Sequence, residues 1–205
     1  NYNDVLMEQL ANQGDGFYAY VDTINEARRL FVNNLTGTLE TIAKDAKVQV
    51  DFTPEVVARY RLLGFENRAI ADEDFRDDSV DAGEIGAGHS VTALYEIKRH
   101  PDAEGRLATV HLRWEDPESG EVSEISADLE SADLVDNFEA ADPSFQLAVV
   151  ISEFAEVLRE SYWAQENSLA GVLEEAERVG GLFERNQEVA GFVELVQRST
   201  TVPGE

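Results

Sequence analysis

Cysteine is absent from this sequence. That excludes disulfides, thiol nucleophiles, thiolate metal sites and iron–sulfur clusters, and it fits the cytoplasm and the cell envelope alike. Lysine is nearly absent, with Lys44, Lys47 and Lys98 the only three. Together with arginine they supply 16 cations against 42 aspartates and glutamates, a net charge of −26. Such a surface repels nucleic-acid phosphates and an anionic membrane face. Long apolar runs are missing too, because nothing approaches the roughly 20 residues that span a bilayer. The longest, Leu147 to Ile151, belongs to an amphipathic helix.

What is present is a folding composition. Hydrophobic residues make up 43% of 205 positions, enough to bury a core in one or two domains. The acidic excess has two readings: a solvated surface tuned for solubility, or a surface for cations or a basic partner. On either reading self-repulsion costs stability, so the melting temperature is expected to rise with added sodium chloride, read in a thermal melt.

The hydrophobic period changes twice along the chain. Asn1-Tyr2-Asn3-Asp4 leads into a helical stretch, Val5 to Asn12, whose apolar face carries Leu6, Met7 and Leu10. Gly14-Asp15-Gly16 is a turn, and Phe17–Val21 reads as a buried strand. A second helix over Glu26 to Leu35 follows, with the stripe Ile24, Ala27, Phe31 and Leu35. Thr23 caps it, and Glu26 is its capping-box partner. Helix, turn, strand and helix read as the closing portion of an α/β layered domain. A strand at 17–21 without neighbours is a pairing hazard, so it is expected to pair within the chain, join a second copy in a homodimer, or be displaced onto the helices.

From Ala46 to Leu129 the period is two. Val48, Val50 and Phe52 alternate with Lys47, Gln49 and Asp51. Arg59 to Phe65 predicts a second strand burying Tyr60, Leu62 and Leu63, and Val91, Ala93, Tyr95 and Ile97 a third. Ala108, Val110, Leu112 and Trp114 make a fourth, and Val122 to Leu129 returns through a turn at Pro117–Gly120 as a fifth. An acidic connection, 67 to 90, links the second and third strands.

Beyond Ser131 the chain is helical. Asp142-Pro143 pairs a capping side chain with a proline suited to the first turn. Leu147, Val150, Ile151, Phe154, Leu158 and Tyr162 follow at helical spacing. Leu169, Val172, Leu173 and Ala176 mark a helix ended by Gly180-Gly181, and Val189, Phe192, Val193 and Val196 mark the last. The tail, Ser199 to Glu205, has no pattern and is expected to fray. The fold class is therefore α+β: a helix–strand–helix segment over 1–43, an antiparallel sandwich-like β domain over 44–130, and a helical bundle over 131–205.

These stretches carry a resemblance. Asn1-Tyr2-Asn3-Asp4 with Leu6-Met7-Glu8, and Tyr18-Ala19-Tyr20-Val21-Asp22, resemble the segment after the fifth strand of bacterial von Willebrand factor A domains. Val48–Phe52, Tyr60–Arg68, Asp81–His89, Phe154–Arg159 and Phe192–Val196 extend the resemblance to proteins of the YfbK type over nearly the whole chain. The resemblance implies a multidomain protein of the bacterial cell envelope or exterior, with a signal or lipoprotein sequence, an A domain and a C-terminal region of undefined activity. In such A domains an Asp-x-Ser-x-Ser loop, a threonine and a further aspartate hold a divalent cation, magnesium or calcium. Those motif positions precede residue 1. Asp4 and Asp22 do not match the motif, so no residue here inherits the role and no cofactor is expected in this chain.

Other candidates come from the residues themselves. Asp72, Glu73, Asp74, Asp77, Asp78, Asp81 and Glu84 are dense enough to hold calcium, with Asp74, Asp77, Asp78, Asp81 and Glu84 the candidate ligands, although their spacing is not that of an EF-hand. A solvated loop, with Arg68 and Arg76 pairing locally, is the simpler reading. Gly83, Gly86 and Gly88 could cradle a phosphate, but a strand follows them where such a site needs a helix. His89, His100 and His111 could meet across strands to bind zinc, but no third ligand presents itself. No Gly-x-Ser-x-Gly elbow occurs. Trp114, Tyr162 and Trp163 are core residues or anchors for a partner. The function expected is a non-catalytic interaction or scaffold module with a protein partner. A calcium-binding structural domain through 72–84 and a hydrolase-like enzyme are the alternatives.

Overall fold

The computed structural model describes residues 3–14, 18–33, 40–64 and 70–201. It is an α+β structure with an antiparallel sheet and a C-terminal set of helices. Two compact units divide it, and they cut across the sequential segments 1–43, 44–130 and 131–205. The first comprises 1–60, 67–91 and 97–132, and the second 61–66, 92–96 and 133–205.

In the first unit, α1 (Asp4–Gln13) starts at Asn3, whose side chain accepts from the Leu6 amide at 3.1 Å. Its apolar face forms as expected but lies open: Val5, Leu6 and Leu10 are each about half exposed or more. The expected strand at 17–21 does not form. Tyr18 to Val21 joins no ladder, and Phe17 lies outside the described residues. The Tyr18 hydroxyl instead donates to Asp4 at 2.7 Å. Thr23 does cap the next helix, α2 (Ile24–Arg28), through the Glu26 amide. The Glu26 carboxylate is taken by Arg29 instead of closing a capping box. The backbone then widens into a π turn at Arg29–Asn33, and Leu35 lies outside the described residues.

Among the described residues six strands follow: β1 (Thr41–Phe52), β2 (Val57–Leu63), β3 (Gly83–Gly86), β4 (Leu94–Arg99), β5 (Arg106–Glu115) and β6 (Val122–Glu130). They make a four-stranded antiparallel sheet, β3-β1-β5-β6, and a separate pair, β2-β4. β1 begins five residues before the expected Ala46, because β3 pairs with that earlier half. A bulge interrupts it: three steps from Lys44 to Lys47 face two from Glu115 to Arg113. Asp45 sits there at φ 48° and accepts from the Ala82 amide at 3.0 Å. The β5–β6 hairpin turns as expected. Asp116 accepts from the amides of Glu118 and Ser119, and Gly120 takes φ 70°. A small core of Val56, Val57 and Leu107, with Phe52, Ile97 and Ala103 against it, closes one end of the sheet. Tyr60 and Val91, expected inside, are exposed.

In the second unit, α3 (Pro143–Leu158), α4 (Leu169–Gly180) and α5 (Gln187–Thr201) pack around Val150, Phe154, Val172, Ala176, Val179 and Val196. Asp142, Ser168 and Asn186 cap the three N-termini with their side-chain oxygens. α5 runs through Ser199 to Thr201, so that part of the tail is helical. α3 stops before Tyr162. The Ser161 amide reaches the Glu156 carbonyl and the Glu160 amide that of Val157, the two bonds of a Schellman cap. Glu160 holds its left-handed position at φ 52°, where glycine is usual.

Gly180 marks the closest helix approach, where a Cβ would lie 2.9 Å from Cγ2 of Val193. Gly180→Ala is expected to destabilise by about 1–2 kcal/mol despite alanine's better helix propensity, because a β-branched neighbour cannot swing aside. The midpoint of urea unfolding reads it.

Candidate functional site

Directly paired residues share a face of a sheet, so the register decides what each face carries. One face has the rows Lys47–Arg113–Glu124, Gln49–His111–Ser126 and Asp51–Thr109–Asp128. The other has Val48–Leu112–Ile125, Val50–Val110–Ala127 and Phe52–Ala108–Leu129.

The charged face is covered at its Lys47–Arg113 end, while Asp51 and Asp128 at the other end stay exposed. The acidic connection folds onto it, with Phe75 3% exposed and its ring edge-on to His111. Arg76 donates twice to Glu124, at 3.1 and 2.7 Å. Arg113 binds Asp78 at 2.5 Å and lies 3.5 Å from Glu124. His111 stands between Asp51 at 3.3 Å and Glu124 at 3.8 Å. Lys47 is buried, and its ammonium donates to the Asp77 carbonyl at 2.7 Å. The Arg76 hydrogen bond, aided by the charges of Arg76, Arg113 and His111, holds the Glu124 carboxyl below its usual range.

This arrangement disperses the candidate calcium ligands. The Asp77 carboxylate accepts from the amide and hydroxyl of Ser79, which lowers its pKa. Asp78 turns to Arg113, Asp74 ends a short 3-10 turn, and Glu84 lies in β3. Among the described residues no group of three or more histidines and carboxylates has a metal-holding arrangement. Of the loop's carboxylates, Asp78 is met by an arginine, Arg113. Arg76 pairs as anticipated but with β6 rather than locally, and Arg68 lies outside the described residues.

The glycine cradle does not form. Gly83 and Gly86 bound an edge strand, and of the three only Gly88 has a positive φ. The histidines do not form a zinc pair either. His100 reaches the Pro54 carbonyl at 3.2 Å, and His111 has its carboxylate neighbours.

The apolar face of the sheet is most closed at the end where Phe52 packs against the small core and Ala108 is buried. At the other end Val48 is 52% and Ile125 57% exposed, flanking half-buried Leu112. The alternation in the sequence assigns these residues to one face correctly. Which face would be covered it left open, since that depends on where the loop docks.

The family described as "Uncharacterized protein YfbK, C-terminal" matches residues 37–104 and 98–202. The chain belongs to this family. The Escherichia coli (strain K12) protein named "Uncharacterized protein YfbK" is 28% identical over 216 residues, covering 96% of this chain. The chain corresponds to 36% of that relative, about a third of its length. No solved structure matches.

A second surface lies in the helical unit. Tyr162 and Trp163 pack edge to face, with ring centres 5.2 Å apart, and are 72% and 59% exposed. The Arg61 guanidinium lies 5.0 Å above the Trp163 ring and binds Glu96 at 2.6 Å and Glu156 at 3.1 Å. Glu156 is buried, also pairs with Arg159, and accepts from Ser161. Burial pushes its pKa up, but the hydrogen bonds from Ser161 and Arg61 and the charges of Arg159 and Arg61 bring it below the usual range. Nothing in the sequence marked Glu156. Buried Gln146 was equally hidden. Its amide donates to the carbonyls of Glu139 and Ala141 and accepts from Arg178. An open cleft of ≈ 530 Å³ at the α4–α5 turn is lined by Glu177, Phe183, Arg185 and Asn186 among others.

A depressed carboxylate contributes stability above its unfolded pKa and loses it as pH falls through the folded value. Glu156→Gln should therefore cost about 2 kcal/mol at neutral pH and progressively less on acidification. Glu153 has the opposite sign, since burial and the charge of Glu175 raise its pKa. Glu153→Gln should raise the melting temperature at neutral pH and lose that advantage in acid. Thermal melts across the acid range read both.

Proposed function

We propose that this chain is a non-catalytic protein-interaction module of a bacterial cell-envelope protein that also carries a von Willebrand A domain. The observation that carries the reading is the open apolar row Val48–Leu112–Ile125, on the face opposite the docked acidic connection. Exposed apolar patches of this kind mark surfaces for other proteins more often than sites of chemistry. The resemblance of residues 1–22 to the end of an A domain supports the architecture, and the relative's greater length leaves room for it. In that arrangement the divalent cation, magnesium or calcium, belongs to the A domain's adhesion site. The present chain is the platform that orients the domain or receives an assembly partner.

The test is capture from envelope extracts by the full-length protein, comparing wild type with Val48→Thr/Ile125→Thr. Both positions are exposed and threonine keeps the strand preference, so stability should change by about 0.5 kcal/mol or less. Partners recovered by wild type and lost from the variant support the reading. Recovery at background from both counts against it. Sedimentation of the isolated chain distinguishes a homodimer, through 17–21 or through the same row, from a foreign partner.

A further inference from the structure

The turn that ends α3 displays aromatic rings in a setting with a defined charge. Leu158, Tyr162 and Trp163 are exposed by 55%, 72% and 59%. One face of Trp163 is occupied by the Arg61 guanidinium. We propose that this surface receives an arginine- or lysine-bearing segment of a partner protein, with the cation seated on the exposed aromatic rings and held by the flanking carboxylates. The proposal rests on the interaction-module reading, and it adds a second surface and the chemistry of the partner.

Arg61 demonstrates the mode of recognition inside the molecule. A guanidinium whose carbon lies 5.0 Å from the centre of the Trp163 ring is within reach of its π-face while two carboxylates, Glu96 and Glu156, accept its hydrogen bonds. An incoming cation would meet the exposed part of the rings, with Glu160 and Glu166 exposed nearby in the sequence. The cations already there are neutralised, Arg61 by Glu96 and Glu156, and Arg159 by Glu156. Of the exposed charges in the segment, Arg159 is paired with Glu156, and the other two, Glu160 and Glu166, are acidic. The whole chain adds a charge of −26, which steers basic segments toward it and repels anionic ones.

Charge alone would attract any polycation, so the test holds charge constant. A labelled peptide of alternating arginine and glycine is titrated into the chain at about 150 mM salt, where screening weakens diffuse attraction. Binding is read by fluorescence anisotropy. Tyr162→Ala/Trp163→Ala, which keeps every charge, is expected to weaken binding by about tenfold or more. Trp163→Phe, which keeps a ring and cannot be dismissed as misfolded, should retain most of it. Equal affinity of wild type and the double variant overturns the proposal and assigns the attraction to charge alone. So does absence of binding to wild type. A partner captured through the Val48–Ile125 row, with no aromatic dependence in the peptide titration, would leave the interaction-module reading standing and remove this one.

Discussion

Arg76 and Arg113 converge on Glu124 across the charged face of the sheet, and much of the first unit's arrangement depends on that convergence. With 42 carboxylates and 16 lysines and arginines, an acidic loop has few places to settle. It settles where the sheet offers cations: Arg113 for Asp78, and Lys47 for the backbone of Asp77. Glu124 is the counter-charge that lets Arg76 and Arg113 approach the same point without repelling one another. Once the loop is there, Phe75 is buried against His111 and the Lys47–Arg113 end of the charged face is closed. The opposite, apolar face is then left to be covered by something else over part of its length.

The same economy operates in the helical unit. Glu156, buried near the end of α3, is neutralised by Arg61 and Arg159. Arg178 joins Glu175 to the buried Gln146 and lies over the ring of Phe138. These arginines serve packing as much as charge, since a guanidinium presents a flat face to an aromatic ring and a donor edge to a carboxylate. Two kinds of surface remain: an apolar sheet row, and an aromatic turn among acids. The proposed protein recognition rests on these two.

The helical unit was legible in advance because its signals are local. Asp142-Pro143 acts within one turn, and Leu147, Val150 and Phe154 pack with the stripes of α4 and α5, while Ile151, Leu158 and Tyr162 of the expected α3 stripe stay exposed. The β5–β6 hairpin was legible for the same reason, through Asp116 and Gly120. The strand at 17–21 failed because an apolar run specifies a strand only when a neighbouring edge accepts its hydrogen bonds. β3 was missed because Gly83-Glu84-Ile85-Gly86 has little strand propensity and forms by pairing with β1.

By itself, then, the sequence determined the α+β class, the helix boundaries set by caps, the order of residues along each strand and the acidic character that governs which partners are admissible. Those properties follow from chemistry acting over a few residues, or from a sum over all of them. Only the tertiary structure decided that Lys47 is buried and Val48 exposed, that the candidate calcium ligands are drawn apart by Ser79 and Arg113, and that Trp163 shares Arg61 with Glu156. Each of these joins side chains distant in sequence, and which charge meets which is chosen by the register of the sheet and the packing of the helices, neither of which a local pattern encodes.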